Sequence, residues 1–167
     1  MPYNAMILVG FGSNQEFLGN TSAEIVNAAA RSLARAAGPT RLSRLYRSPA
    51  WPDPADPPFV NAVAAVETRL APHALLAMLQ AIEAGFGRRR RARNAPRTLD
   101  LDLLAYGRRI VATAELRVPH PRLTTRDFVL APLRDLAPDW RHPETNRTAA
   151  EALADLAAVT AAPLDPA

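Results

Sequence analysis

The sequence predicts an α+β domain in which a mostly antiparallel sheet carries helices on one face, giving two layers. Apolar segments with strand-like and helix-like spacing alternate in the order β-α-β-β-α-β, with further helix after them, and this order is the split βαβ arrangement. The 167 residues are enough for one hydrophobic core and too few for two comfortable ones. We therefore expect one domain over residues 1–160 and a frayed tail at 161–167.

The first strand, the first helix and a second extended segment lie before the first proline-rich loop. Residues 6–10 form a short apolar run that ends in glycine, which predicts a buried strand. Thr21 and Glu24 have the spacing of a capping box, so we expect a helix from there to about Ala37, where a Gly-Pro pair follows. Residues 42–46 contain Leu, Leu and Tyr and predict a second extended segment, which the next Ser-Pro pair breaks.

The middle of the chain begins with a proline-rich loop. Residues 49–58 contain five prolines, which excludes regular structure, and a loop of this kind in a compact domain is usually functional or disordered. Residues 59–70 begin with Phe and are rich in Val, so they predict a strand. Pro72 suits the first turn of a helix, and apolar residues at helical spacing continue that helix to about Gly87.

The last third of the chain supplies a strand and two short helices. Residues 98–106 alternate as a strand, and a turn at 107–109 leads into a short extended segment. Residues 126–133 predict a short helix. A second capping box at 148–151 predicts a final helix to about Val159.

Two absences from the composition exclude whole classes of chemistry. The chain has no cysteine, which excludes disulfides, thiolate nucleophiles and cysteine-ligated metals. It also has no lysine, because all 20 basic residues are arginine, so Schiff-base chemistry and a phosphate-binding lysine are excluded. The net charge is +4. Any phosphate that the protein handles must therefore be bound by arginine, backbone amides or a metal ion.

The amino terminus and the apolar runs predict where the protein works. The first residues carry no basic segment, and their apolar run is too short for a signal peptide. No run approaches the roughly 20 apolar residues that a membrane-spanning helix needs. We expect a soluble, cytoplasmic protein that does not act at a membrane.

Asp100 and Asp102 are the first candidate functional residues. Side chains alternate between the faces of a strand, so these two carboxylates share a face and lie roughly 7 Å apart. Magnesium binds through one or two carboxylates together with substrate phosphates, and it would relieve their mutual repulsion. The alternative is a solvent-facing strand edge whose aspartates pair with arginines.

An arginine-rich segment precedes the two aspartates. Six of the ten residues in 88–97 are arginine. Taken alone, such a segment is typical of a solvated loop or a nucleic-acid-binding patch. Next to paired carboxylates it favours phosphoryl transfer, because a metal bridges phosphate oxygens while guanidinium groups neutralise developing charge.

Short motifs in a fixed order extend along nearly the whole chain. They are 12–14 (Gly-Ser-Asn), 46–49 (Tyr-Arg-Ser-Pro), 59–61 (Phe-Val-Asn), Glu83 with 87–88 (Gly-Arg), 96–104 (Pro-Arg-Thr-Leu-Asp-Leu-Asp-Leu-Leu), 119–122 (Pro-His-Pro-Arg) and 126–133 (Arg-Asp-Phe-Val-Leu-Ala-Pro-Leu). Through them the chain resembles the 6-hydroxymethyl-7,8-dihydropterin pyrophosphokinase family. The resemblance implies a ferredoxin-like fold and transfer of a pyrophosphoryl group from ATP to the hydroxymethyl oxygen of the pterin, releasing AMP, in folate biosynthesis.

The resemblance also implies a role for individual residues. On the nucleotide side, Asp100 and Asp102 would hold two Mg²⁺ ions. Positions that contact or close over the triphosphate, or that lie elsewhere in the nucleotide site, are Gln80, Arg88, Arg90, Arg97, His120 and Arg126. On the pterin side, Phe59 and Phe128 would sandwich the ring and Asn61 would bind its polar edge. Ser48 and Pro49 would line the same pocket.

Two other functions remain open from the residues alone. A nucleic-acid-binding module could use the arginine-rich segment, although the adjacent carboxylates would repel a phosphate backbone. A different ATP-dependent pterin or nucleotide transferase could use the same scaffold. We expect ATP and a pterin as the binding partners, no nucleic acid, and a monomer.

Overall fold

The computed structural model describes residues 6–51, 53–87 and 97–164. The strands in these ranges are β1 (Ile7–Ser13), β2 (Thr40–Leu42), β3 (Tyr46–Ser48), β4 (Phe59–Val66), β5 (Asp100–Tyr106), β6 (Val111–Ala112), β7 (Arg117–Val118) and β8 (Ala162–Pro163). The helices are α1 (Ser22–Ala37), α2 (Pro72–Gly85), α3 (Asp127–Leu136) and α4 (Ala149–Ala154). Within the described ranges, no helix is both long and apolar enough to cross a membrane.

The main sheet is antiparallel and has β1 near its centre. Its strand order is β5-β1-β4-β3-β8, and β2 also pairs with β4. The register places Gly12 of β1 opposite Asn61 on one side and Asp100 on the other. Gly10 lies opposite Asp102 in the same way. The sheet therefore brings three distant segments of the sequence into one row.

Both faces of this sheet are covered by helices. Ile7, Val9 and Phe11 pack with α1 and α2 on one face. The intervening Leu8 packs on the opposite face, where α3, α4 and the buried Trp140 form a second core. The predicted antiparallel sheet with helices packed on it is confirmed. The expectation of two layers, with helices on one face, is wrong because α3 and α4 form a third layer.

Local sequence features explain several element boundaries. The predicted capping box is present, since Thr21 accepts from the Glu24 backbone N–H and the Glu24 side chain accepts from Thr21. The second extended segment is divided into β2 and β3. At this division the Ser43 hydroxyl accepts the Val63 N–H at 3.1 Å, so a side chain replaces a backbone acceptor. The final helix begins at its predicted capping box but ends at Ala154, earlier than expected.

The expected frayed tail is partly ordered. Ala162 and Pro163 form β8 and pair with β3, and the Leu164 N–H donates to the Leu45 carbonyl at 2.8 Å. An edge strand tolerates the proline, which has no N–H to donate. The prediction of a frayed tail is therefore wrong for residues 161–164, and 165–167 lie outside the described residues.

Candidate active site

A pocket of about 450 Å³ lies on the α3 side of the sheet. Residues of β1, β3, β4 and β5 line it together with the first turn of α3. The lining includes nine positions that the sequence predicted, namely Ser48, Pro49, Phe59, Asn61, Arg97, Asp100, Asp102, Arg126 and Phe128. These nine residues, which are up to 80 positions apart in the chain, thus meet around one cavity.

Glycines form the floor of this pocket. Gly10 and Gly12 face it from β1, next to Asp102 and Asp100 on the neighbouring strand. A Cβ atom at Gly12 would lie 3.6 Å from Asn61 Oδ1. A longer side chain at this position would occupy the space between the amide and the carboxylate. The absence of side chains therefore keeps the floor open to a ligand.

Asp100 and Asp102 lie on one face of β5, as predicted. Asp100 Oδ2 accepts a hydrogen bond from Arg97 Nη1 at 2.9 Å, and Asp102 Oδ2 accepts from Arg126 Nη1 at 3.5 Å. Each carboxylate therefore has an arginine partner, which was the structural alternative to a metal site. The two possibilities are compatible, because both carboxylates also line the pocket and are only partly buried.

The oxygen donors at this site fit a magnesium ion. Within the described part of the chain, no group of three or more His, Asp or Glu side chains is arranged to hold a metal. The carboxylate pair alone would leave most coordination positions to phosphate oxygens and water, and this is how magnesium binds in nucleotide sites. Asp100 and Asp102 are therefore the residues that could hold it.

The carboxylate strand is held from the side of α2. Glu83 of α2 is buried, and its Oε1 accepts the Leu101 N–H at 2.6 Å. Leu101 lies between the two aspartates, at the edge of the sheet. A buried carboxylate on this edge N–H fixes the backbone from which both aspartates project. In the sequence, Glu83 stood out only as part of a motif, because its contact is 18 residues away.

His120 lies on the segment that leads to α3. Its backbone N–H donates to the Leu104 carbonyl at 2.8 Å, and its Nδ1 accepts the Arg122 N–H at 3.1 Å. Burial holds the pKa of His120 below its ordinary value; Asp102 acts in the opposite direction and Arg126 acts with burial. The lowered pKa favours an uncharged ring at neutral pH. Because Nδ1 accepts the Arg122 N–H, the proton of this neutral ring is on Nε2.

The other side of the pocket is aromatic. Phe59 and Phe128 both line it, and the Arg126 guanidinium lies 5.6 Å from the centre of the Phe128 ring. Asn61 Nδ2 donates to Ser48 Oγ at 2.9 Å, and both side chains are buried. This bond fixes the Asn61 amide, so that its Oδ1 lies over the glycine floor.

Some predicted residues are not part of this pocket. Gln80 is an exposed residue of α2, and neither it nor His120 is among the lining residues. Arg88 and Arg90 lie outside the described residues. Arg122, which the sequence indicated only as part of the 119–122 motif, also lines the pocket. Trp51 lines it as well although the sequence did not single it out, and it is 74% exposed. One tryptophan in a proline-rich loop has no periodic pattern, so only its position beside Ser48 and Pro49 could have indicated it.

Residues 8–138 match the sequence model of the family described as 7,8-dihydro-6-hydroxymethylpterin-pyrophosphokinase (HPPK). The chain belongs to the HPPK family. Every pocket residue described above lies within the matched range. The fold class that the motifs implied for this family is confirmed by the antiparallel sheet and its packed helices.

Individual members of the HPPK family show how far the similarity extends. A Synechocystis protein named 2-amino-4-hydroxy-6-hydroxymethyldihydropteridine pyrophosphokinase is 45% identical over 108 residues, which is 65% of this chain and 55% of that protein. A Methylorubrum extorquens protein of the same name is 40% identical over 133 residues, covering 78% of this chain and 82% of its own. The chain thus spans about half the length of the first relative and most of the second.

A solved structure of Plasmodium falciparum HPPK-DHPS has the same fold. It superposes on 89% of this chain and 45% of its own with a TM-score of 0.71, at 13% sequence identity. At that identity the likeness concerns the fold alone.

Proposed function

We propose that this protein transfers a pyrophosphoryl group from ATP to the hydroxymethyl oxygen of 6-hydroxymethyl-7,8-dihydropterin and releases AMP, as a step of folate biosynthesis. The observation that carries the proposal is one pocket in which an acidic pair and an aromatic wall share a glycine floor. Relatives named as pyrophosphokinases of this pterin support it.

The aromatic wall suits the pterin. A flat heteroaromatic ring gains dispersion and desolvation energy from stacking, and Phe59 and Phe128 both face the cavity. The Asn61 amide, fixed by Ser48, presents a polar group to the edge of such a ring. A polar group that is already oriented loses little entropy on binding and discriminates strongly against rings without a matching edge.

The charged side suits a triphosphate. Arg97 and Arg126 line the pocket and supply planar guanidinium groups that bind phosphate oxygens in pairs. We propose that Asp100 and Asp102 hold two Mg²⁺ ions, which neutralise phosphate oxygens when bound. Without lysine in the chain, these two types of group provide the positive charge for the reaction.

In the proposed reaction, the protein contributes mainly by positioning the two substrates. The pterin hydroxymethyl oxygen attacks the β-phosphorus of ATP, the bond from that phosphorus to the bridging oxygen of AMP breaks, and the hydroxyl proton is released to water. Catalysis then comes from alignment of the two substrates and from preorganised charge. Pro49 and Trp51 of the proline-rich loop line the pocket, where they would help to exclude water when both substrates are bound.

We also propose a cytoplasmic monomer that binds ATP and the pterin but no nucleic acid. Asp100 and Asp102, which lie beside the arginines, would repel a polynucleotide backbone.

Product analysis tests the proposed function. The protein is mixed with ATP, magnesium and the hydroxymethyl pterin, and AMP is measured with and without the pterin. We expect AMP only when the pterin is present. ADP in place of AMP would instead support a different ATP-dependent transferase. No turnover, together with salt-sensitive RNA binding, would support the nucleic-acid-binding alternative.

A further inference from the structure

Residues 160–164, here called the C-terminal strap, lie beyond the residues that match the family. Its middle is β8, which pairs with β3 by placing Ala162 opposite Arg47. The Leu164 N–H extends this pairing with a 2.8 Å bond to the Leu45 carbonyl. The strap therefore adds an edge strand to the sheet next to β3.

The other end of the strap binds one buried carboxylate. Asp127 is 9% exposed, and its Oδ2 accepts the Thr160 N–H, the Thr160 hydroxyl at 3.0 Å and the Ala161 N–H at 2.8 Å. Its Oδ1 accepts the Phe128 N–H at 2.8 Å. Four donors to one buried carboxylate make a strong and directional link between the strap and the start of α3.

These two attachments adjoin two different groups of residues that line the pocket. β3 ends at Ser48, which lines the pocket together with Pro49. Asp127 lies between Arg126 and Phe128, which line it from α3. A second link between β3 and α3, the 2.6 Å bond from the Tyr46 hydroxyl to Asp135, is two turns further along the helix. Of these two links, the strap is the one nearer to the pocket.

We propose that the C-terminal strap sets the spacing between the Ser48 wall and the Phe128 wall, and that Asp127 is the positioning residue through which it does so. The proposal rests on the proposed function, because both walls belong to the pterin side of the pocket. Asp127 is not among the residues that line the pocket. It acts by holding the first turn of α3 against the strap.

This arrangement predicts which kinetic constant depends on Asp127. Loosening the strap lets the two walls separate, so the pterin ring loses its close contacts. Arg97 is bonded to Asp100 of β5 outside the strap, so this part of the triphosphate side keeps its geometry. Arg126 is the one triphosphate-side arginine named above that adjoins Asp127 at the start of α3. The effect therefore falls on pterin binding more than on ATP binding or on turnover at saturation.

The substitution Asp127→Asn tests the proposal with the full-length chain. It keeps the shape of the side chain but turns an amide toward donors that need an acceptor. We expect the KM for the pterin to rise about tenfold or more, with kcat and the KM for ATP within about threefold of the parent. Thr160→Val removes only the hydroxyl donor and is expected to raise the same KM by a smaller factor. Asp139→Asn makes the same change on the exposed segment after α3 and serves as the control.

Kinetic measurements distinguish a role of Asp127 in positioning the pocket from a role in stability alone. Kinetics are measured well below the unfolding midpoint of each variant, where a stabilising contact changes Tm but not KM. If Asp127→Asn does not fold, Leu164→Pro breaks the β3 end of the strap and should raise the pterin KM likewise. An unchanged pterin KM in the folded variants would overturn the proposal. A parent protein that neither binds the pterin nor forms AMP would instead overturn the proposed function.

Discussion

Asn14 holds the backbone of Arg97 through two hydrogen bonds. Its N–H donates to the Arg97 carbonyl at 3.1 Å, and its Oδ1 accepts the Arg97 N–H at 2.9 Å. Its Nδ2 donates to the Pro57 carbonyl at 3.1 Å. Asn14 is 4% exposed, so its side chain is shielded from water. One side chain at the end of β1 thus fixes both the proline-rich loop and the arginine that precedes β5.

Replacing Asn14 should therefore impair catalysis through Arg97. Asn14→Ala removes both side-chain bonds and leaves the Arg97 N–H without its acceptor, so we expect kcat/KM to fall by about 10-fold to 100-fold. The loss of kcat/KM in Arg97→Ala sets the upper limit for this effect. Removing one preorganised cationic group costs about 3 kcal/mol of transition-state stabilisation, which lowers kcat/KM roughly 100-fold. Steady-state AMP formation measures both, with the exposed Asn27→Ala as the control. Normal activity in Asn14→Ala would show that the hydrogen bonds of the Asn14 side chain are not needed for catalysis.

The two pocket aspartates should be indispensable for turnover. We expect Asp100→Ala or Asp102→Ala to reduce AMP formation to near background while the thermal unfolding transition persists, because each removes an oxygen ligand of the proposed metal site. Chelation of magnesium should likewise reduce AMP formation by the parent protein to near background. The exposed Asp139→Ala should keep full activity. Near-normal AMP formation in either pocket variant would refute the metal assignment.

The open floor at Gly12 should limit the size of the bound ring. A Cβ there would make only ordinary contacts, 3.6 Å to Asn61 Oδ1 and 3.8 Å to Phe59 Cδ1, so the fold should accept a small side chain. We expect Gly12→Val to raise the pterin KM about tenfold, because its methyl groups enter the cavity. Gly85→Ala, where nothing lies within 4 Å, is the matched control. Equal pterin KM values in both variants would show that the ligand does not lie on this floor.

Stability should fall in acid through Asp135. Burial alone would raise the pKa of Asp135, but hydrogen bonds from Tyr46 and Arg44 outweigh it and hold the pKa below its ordinary value. Such a carboxylate stabilises the fold fully above its unfolded pKa of about 3.9, and this contribution is lost as the pH falls through the folded pKa. We expect the free energy of unfolding to drop below about pH 4.

Denaturant titrations across this pH range check the assignment. Asp135→Asn should be less stable than the parent at neutral pH and should lose less stability on acidification. Asp139→Asn is again the control. Parallel curves for parent and Asp135→Asn would mean that this carboxylate does not contribute to acid unfolding.

Local features of the sequence predicted the elements and part of the site. The capping boxes at Thr21 and Thr148 predicted the starts of two helices correctly, because the bonds of a cap lie within four residues. The alternation around Asp100 and Asp102 predicted their common face, because side-chain direction in a strand depends on the backbone alone.

Features that depend on distant contacts could not be predicted in this way. The layer that α3 joins depends on packing against β4, and an amphipathic pattern gives no information about which sheet face it will cover. Asp127 and Thr160 are 33 residues apart, so nothing local indicated that the tail would pair. Trp51 enters the pocket from a loop without periodicity.

The fate of the β-phosphate of ATP distinguishes pyrophosphoryl transfer from transfer of a single phosphoryl group. ATP carrying a label in its β-phosphate is incubated with magnesium, the hydroxymethyl pterin and the protein, and the products are separated. We expect the label in the pterin product and unlabelled AMP, and we expect the folded Asp102→Ala variant to form neither product. Label recovered in ADP, with none in the pterin, would contradict it.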